Sequence, residues 1–149
     1  MLANGMGTLH AAVNEQQETV GMSLTGLSGD RKRQRLILDY MSIRSEYRQQ
    51  GLGKELLRLL RDWAISKYHI EAIVIEVEAE DTEVNIERLS FWLSCGFVPT
   101  SYIHQYIWVP EPYRAMVLPL SPSYQIQGDG QGLFRDIISL HERAYRSTK

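Results

Sequence analysis

The spacing of apolar residues changes several times along the chain, and each change marks an element. Residues 7 to 13 and 18 to 27 alternate loosely between apolar and polar around Asn14-Glu15-Gln16-Gln17, which predicts a β-hairpin. Gly26, Ser28, Gly29 and Asp30 predict the next turn, and Arg35 to Ile43 is an apolar run interrupted by Asp39, a third strand. From Leu52 the period lengthens: Leu56, Leu59, Leu60, Trp63 and Ala64 recur at three and four, one face of a helix lasting to Lys67. Ile70 to Ala79 returns to a period of two, with Ile73, Ile75, Val77 and Ala79 on one face and Val74, Glu76 and Glu78 on the other. Strand, helix, strand in that order predicts parallel pairing.

Asp81 and Thr82 can cap a second helix, whose Leu89, Trp92 and Leu93 form an apolar stripe and which Gly96 ends. Phe97 to Val109 and Arg114 to Leu120 predict two further strands joined through Pro110-Glu111-Pro112. The chain then offers a short strand over Ser123 to Gln127, a turn at Gly128-Asp129-Gly130, and a helix using Phe134, Ile137, Ile138, His141 and Tyr145. The expected fold class is α/β with a mixed sheet.

Between the third strand and the first helix lies Arg48-Gln49-Gln50-Gly51-Leu52-Gly53-Lys54, a glycine-rich loop opening a helix. The first amides of that helix have no partner within it, so the placement predicts an anionic ligand such as a pyrophosphate. A Walker loop is excluded, because Arg48 stands where its first glycine belongs and Glu55 where its Ser or Thr belongs. The dinucleotide fingerprint lacks its third glycine, replaced by Leu56.

Composition narrows the classes without choosing among them. A chain of 149 residues is read as one domain able to bury its own core. The net charge of -2 gives no general pull towards nucleic acid, and Arg31-Lys32-Arg33-Gln34-Arg35 reads as a solvated connection. The single cysteine, Cys95, excludes an internal disulfide framework and a cysteine-rich metal site, and reads as a packing residue in a reducing cytoplasm. No run is long and apolar enough to predict a membrane span, and Met1 to Gly5 lacks the parts of a signal peptide. The histidines are scattered without metal-ligand spacing, and His141 on an apolar helical face reads as a packing residue.

The Arg-x-x-Gly-x-Gly loop resembles that of the GCN5-related N-acetyltransferases, which bind the pyrophosphate of acetyl-CoA there. A second block, Asn85 to Phe97, is similar to the family's following helix, and Tyr113 to Leu120 is similar to its closing strand. The resemblance covers residues 6 to 120 of a single domain spanning 1 to 149. It implies acetyl-CoA as co-substrate, with Arg48, Gln49, Gln50, Gly51, Leu52, Gly53 and Lys54 around the pyrophosphate. Main-chain groups of Met41 and Ile43, together with Asn85, would meet the pantetheine arm. Relatives begin with a strand and helices that this chain lacks before its hairpin. The tail over 121 to 149 could fill that place, in its own subunit or a partner's, or be an extension packed on the outside.

Acyl transfer to an amine needs a neutral amine and a proton for the departing thiolate. A carboxylate that some relatives carry aligns with Ile37, leaving Asp39, two residues along the same face, with Glu76 and Glu78 as catalytic candidates. The position of the family's usual proton-donating Tyr is Trp92, which cannot ionise, so Tyr102, Tyr106 or water would substitute. The expected activity is direct transfer of acetyl to a primary amine of a small molecule or peptide. The competing class is a non-catalytic CoA-binding or interaction module. A homodimer is the possible assembly, from edge strands that want cover.

Overall fold

The computed structural model describes residues 7–147, with side chains described to Arg143. The Met1 to Gly5 start and the side chain of Tyr145 lie outside the described residues. Six strands form one mixed sheet in the order β1-β2-β3-β4-β6-β5. They are β1 (Thr8–Val13), β2 (Thr19–Gly29), β3 (Gln34–Ile43), β4 (Ile70–Glu78), β5 (Val98–Gln105) and β6 (Pro112–Pro119). Helix α1 (Leu52–Lys67) joins β3 to β4, α2 (Glu83–Ser94) joins β4 to β5, and α3 (Gln131–Ser147) follows β6. The β3–β4 pair is parallel and the other neighbours are antiparallel, as the element order predicts.

Alternation along β3 and β4 divides the core into two layers. Leu36, Leu38, Ile73, Ile75 and Met116 pack against Leu56, Leu57, Leu60 and Ala64 of α1 and against Phe97. On α1 Leu57 joins Leu56, Leu60 and Ala64 on the buried face, while Leu59 is half exposed; Leu93 of α2 likewise faces outward. The opposite face presents Ile37, Ala72, Val74, Ala115 and Val117, and α3 covers it with Leu133, Phe134, Ile137 and Leu140. The tail helix therefore closes the second face of its own chain's sheet.

Four local expectations need correction. The turn expected over Gly26 to Asp30 starts late: β2 runs on to Gly29 and the chain turns at Asp30, whose Oδ1 accepts from the Lys32 and Arg33 amides. A Cβ on Gly26 would lie 2.6 Å from Leu140 Cδ1, so that glycine clears space for α3. Ser123 to Gln127 forms no strand, and β5 stops at Gln105, leaving Tyr106 to Val109 in a loop. The basic cluster after β2 is not wholly solvated either. Arg35 reaches Glu71 at 3.2 Å and Asp136 of α3 at 2.9 Å, clasping the helix to the sheet.

Candidate active site

β3 and β4 share a ladder only from Gln34↔Ile70 to Ile37↔Val74. Beyond that the strands diverge, so the facing main-chain edges of residues 38–43 and 75–78 are not spent on each other. A cleft of about 370 Å³ lies in this part of the sheet, lined by Asp39, Tyr40, Glu76, Glu78, Asn85 and Trp92 among others. A slender ligand with amide groups can enter such a gap as an extra strand, and Met41 and Ile43 lie on the open edge of β3.

From β3 the chain runs into the glycine loop. A single 3-10 turn, Ser45–Tyr47, precedes Arg48, whose Nε donates to the Ile43 carbonyl at 2.9 Å and pins the loop to the strand end. Gln49 and Gly51 both have left-handed backbones, with φ of 65° and 76°. Gly51 is the N-cap of α1 and carries no side-chain cap. The first helical bond there runs from Glu55 N–H to Gly51 O at 3.2 Å, which leaves the amides of Leu52, Gly53 and Lys54 without helical partners. Gly53 has its own reason to be small: a Cβ there would sit 3.1 Å from Phe91 Cζ of α2. Lys54 lines a shallow hollow with Arg58 and Arg61, adding positive charge beside the helix start.

Asn85 is nearly buried in the first turn of α2 but does not cap it. Thr82 does, accepting from Asn85 N–H at 3.1 Å, while Asn85 Nδ2 donates to the Glu80 carbonyl at 3.1 Å. Trp92 lines the same cleft, its ring set edge-on to Phe97 at 5.2 Å. Cys95 is a partly buried thiol that burial pushes up in pKa, as suits a packing residue.

Two of the three catalytic candidates, Asp39 and Glu76, meet on the α3 face. Across β2 and β3, Leu24 pairs with Tyr40 and Thr25 with Leu38, so Asp39 is the extra residue of a β-bulge. Its Oδ1 lies 2.7 Å from His141 Nε2 of α3. Glu76, on the neighbouring strand, offers its carboxylate to the same spot; the ligating atoms of Asp39, Glu76 and His141 lie within 4.8 Å of one another. Tyr106 donates its hydroxyl to Glu76 Oε2 at 2.6 Å. Glu78 stays outside this group and lines only the cleft.

Each proton in the group has a physical bias. Burial pushes Glu76 above the ordinary carboxylate range, only partly opposed by the Tyr106 hydrogen bond. The hydrogen bond to Asp39 raises His141, against the effect of its own burial. Burial, reinforced by Glu76, raises Tyr106 and keeps it protonated. The 2.7 Å contact joins His141 and Asp39 as a closely hydrogen-bonded pair beside Glu76.

A second, larger cavity of about 810 Å³ opens on the α3 side, lined by Glu76, His104, Tyr106, Trp108, Tyr113 and His141 among others. Glu76 and Tyr113 line both this cavity and the cleft. Spacing alone missed His141, whose partner is 102 residues away, and Tyr113, which the strand pattern left unmarked. Of the tyrosines expected to stand in for the one replaced by Trp92, Tyr102 is bonded to His104 Nδ1 at 3.1 Å and Tyr106 to Glu76.

The family model described as Acetyltransferase (GNAT) family matches residues 3–97, more than half of the chain. The chain belongs to the GNAT acetyltransferases. This makes it an acyltransferase that uses acetyl-CoA, and the free amides of α1, the left-handed Gly51 and the open β3–β4 edge fit that co-substrate. Solved structures share the fold. A chain of the NatC complex bound to Gag peptide and CoA is 21% identical over 76% of this chain and 71% of its own, with a TM-score of 0.61. Nourseothricin acetyltransferase is 18% identical over 79% and 68%, at 0.63. The ribosomal-protein-S18-alanine N-acetyltransferase from Escherichia coli is 19% identical over 84% and 76%, at 0.61. A search of curated proteins by sequence finds no match.

Proposed function

We propose that this acyltransferase moves acetyl directly from acetyl-CoA to a primary amine, using Glu76 as the proton acceptor. The observation that supports this most is the position of Glu76, the one carboxylate that lines both the cleft between the diverging strands and the larger cavity on the α3 face. Bound in the cleft, the co-substrate supplies an activated acetyl thioester. Residues 48 to 54 hold its pyrophosphate through the uncapped amides of α1, and the open edge of β3 at Met41 and Ile43, with Asn85, orients the arm.

An amine reaching Glu76 from the larger cavity arrives as an ammonium ion and must lose a proton before it can attack. Tyr106 occupies Oε2 of Glu76, leaving Oε1 to take that proton. A carboxylate whose pKa is raised by burial is a stronger base than an exposed one. Asp39 and His141 do not touch the amine in this reading; beside Glu76, the His141 charge tempers the effect of burial and the Asp39 charge adds to it. Tyr113, which burial keeps protonated and which lines both cavities, is the donor we assign to the departing thiolate. Glu78 serves the cleft and not the proton path. With acid and base groups supplied by β4, β6 and the loop after β5, the non-catalytic alternative loses its basis in Ile37 and Trp92. Within this reading α3 fills, in its own chain, the place that the family gives to an opening helix.

Initial-velocity kinetics with varied acetyl-CoA and amine, reading thiol release, test the proposal. Intersecting lines are expected from direct transfer. Parallel lines, or release that no primary amine raises above hydrolysis by water, would overturn it.

A further inference from the structure

The larger cavity has a chemical character that narrows the acceptor. Its lining joins one half-buried carboxylate, Glu76, to the rings and aliphatic carbon of Tyr106, Tyr113, Ile138 and Trp108, beside the polar His104, Gln105, His141 and Glu142. The aromatic rings form a connected set. Tyr113 meets Tyr106 edge-on at 5.6 Å, and Trp108 lies nearly parallel to Tyr106 at 6.3 Å. At the mouth, Ile107 and Trp108 are 95% and 79% exposed, more than any other large apolar side chain described. Solvent-exposed apolar groups of this size in a cavity that also presents the Glu76 carboxylate are what an apolar ligand with one cationic end would cover.

We infer that the acceptor is a primary monoamine carried on an aromatic or branched apolar body, with its ammonium at Glu76 and its body against Tyr106 and Trp108. The inference rests on the acceptor reading of this cavity given above. An acidic acceptor is opposed by Glu76 and Glu142, both in the lining. A polyamine needs several carboxylates spaced along its length, whereas Glu142 is the only carboxylate besides Glu76 in the described lining. The rings also favour the ammonium end itself, since an aromatic face attracts a cation that has shed its water. His141 adds no free positive charge against the amine, because its imidazole is committed to Asp39.

Phenethylamine and spermidine serve as probes, titrated calorimetrically into the whole chain with and without saturating coenzyme A, alongside a tetrapeptide whose first residues are serine. Phenethylamine is expected to bind about tenfold tighter than either of the others. Trp108→Ala is expected to weaken phenethylamine about fivefold, as loss of one stacked ring predicts, and to leave spermidine unchanged. Because Trp108 is exposed, this variant keeps the wild-type melting temperature. Spermidine or the peptide binding as tightly as phenethylamine, or Trp108→Ala without effect on phenethylamine, overturns the inference. Binding without acetylation of phenethylamine instead removes the transfer reading and leaves the binding site standing.

Discussion

Replacing Glu76 by Gln separates what this side chain does for catalysis from what it costs the fold. Gln keeps the shape of the carboxylate and still accepts the Tyr106 hydroxyl, a bond of 2.6 Å in the native site. It cannot take a proton from an amine. A positioned general base contributes roughly 10²–10⁴ in rate, or about 3–5 kcal/mol of transition-state stabilisation. Glu76→Gln should therefore lower kcat/KM for the amine at least about 100-fold while leaving the affinity for acetyl-CoA unchanged. Stability should move the other way. Because burial raises Glu76 in the folded state, the protonated form favours folding, and the carboxylate opposes it once pH rises through the raised folded value. Each unit of such a shift is worth about 1.4 kcal/mol. The variant should thus match the wild type near pH 4 and gain relative to it as pH rises towards 8, tempered by the lost attraction to His141. Thiol-release kinetics and thermal melts across pH measure both. A fall in kcat/KM of less than threefold, or a variant that loses stability as pH rises, would refute the reasoning.

Two further changes probe the supports of the site. In His141→Asn the ion pair to Asp39 is removed. Since the folded pKa of His141 is raised above its unfolded value, the pair's contribution is full below about pH 6.5 and lost as pH rises through the folded value. For this partly exposed pair we expect about 1 kcal/mol at pH 6, shrinking by pH 9; melts showing a flat or growing gap would contradict it. Gly51→Val places a branched side chain at φ 76°, where no atom crowds it but the backbone itself is strained. The chain should fold, and calorimetry should show acetyl-CoA affinity reduced about tenfold or more.

How much of this was legible in the sequence depended on the range of the interaction. The loop at Arg48 to Lys54 and the alternation of β4 are local, and each declared itself within ten residues. The placement of Asp39 on the face of Ile37 also followed from period two, even across the bulge. What the sequence hid were encounters between distant segments. His141 reads as a packing residue until Asp39 is brought against it across 102 residues. Gly26 carries the signature of a turn, and only the arrival of Leu140 shows that the glycine is a clearance within β2. Leu57 and Leu59 exchange roles because the helix face turned to the sheet is set by packing against β3 and β4, not by the period alone. Ser123 to Gln127 had strand-like residues but no sheet edge to join.

The position of α3 in the chain also sets an order of events. The layer formed by Ile37, Ala72, Val74, Ala115 and Val117 is complete before any residue of α3 has been synthesised. During vectorial synthesis, the sheet must wait with one apolar face bare, a surface that invites association with other chains. Closing it requires contacts between segments separated by about a hundred residues, which slows the last step of folding. The same step delivers His141 to Asp39, so the charged pair and the covered core arrive together. A nascent chain that has made the glycine loop, both diverging strands and Glu76 therefore still lacks the wall of the larger cavity that Ile138 and His141 supply when α3 docks.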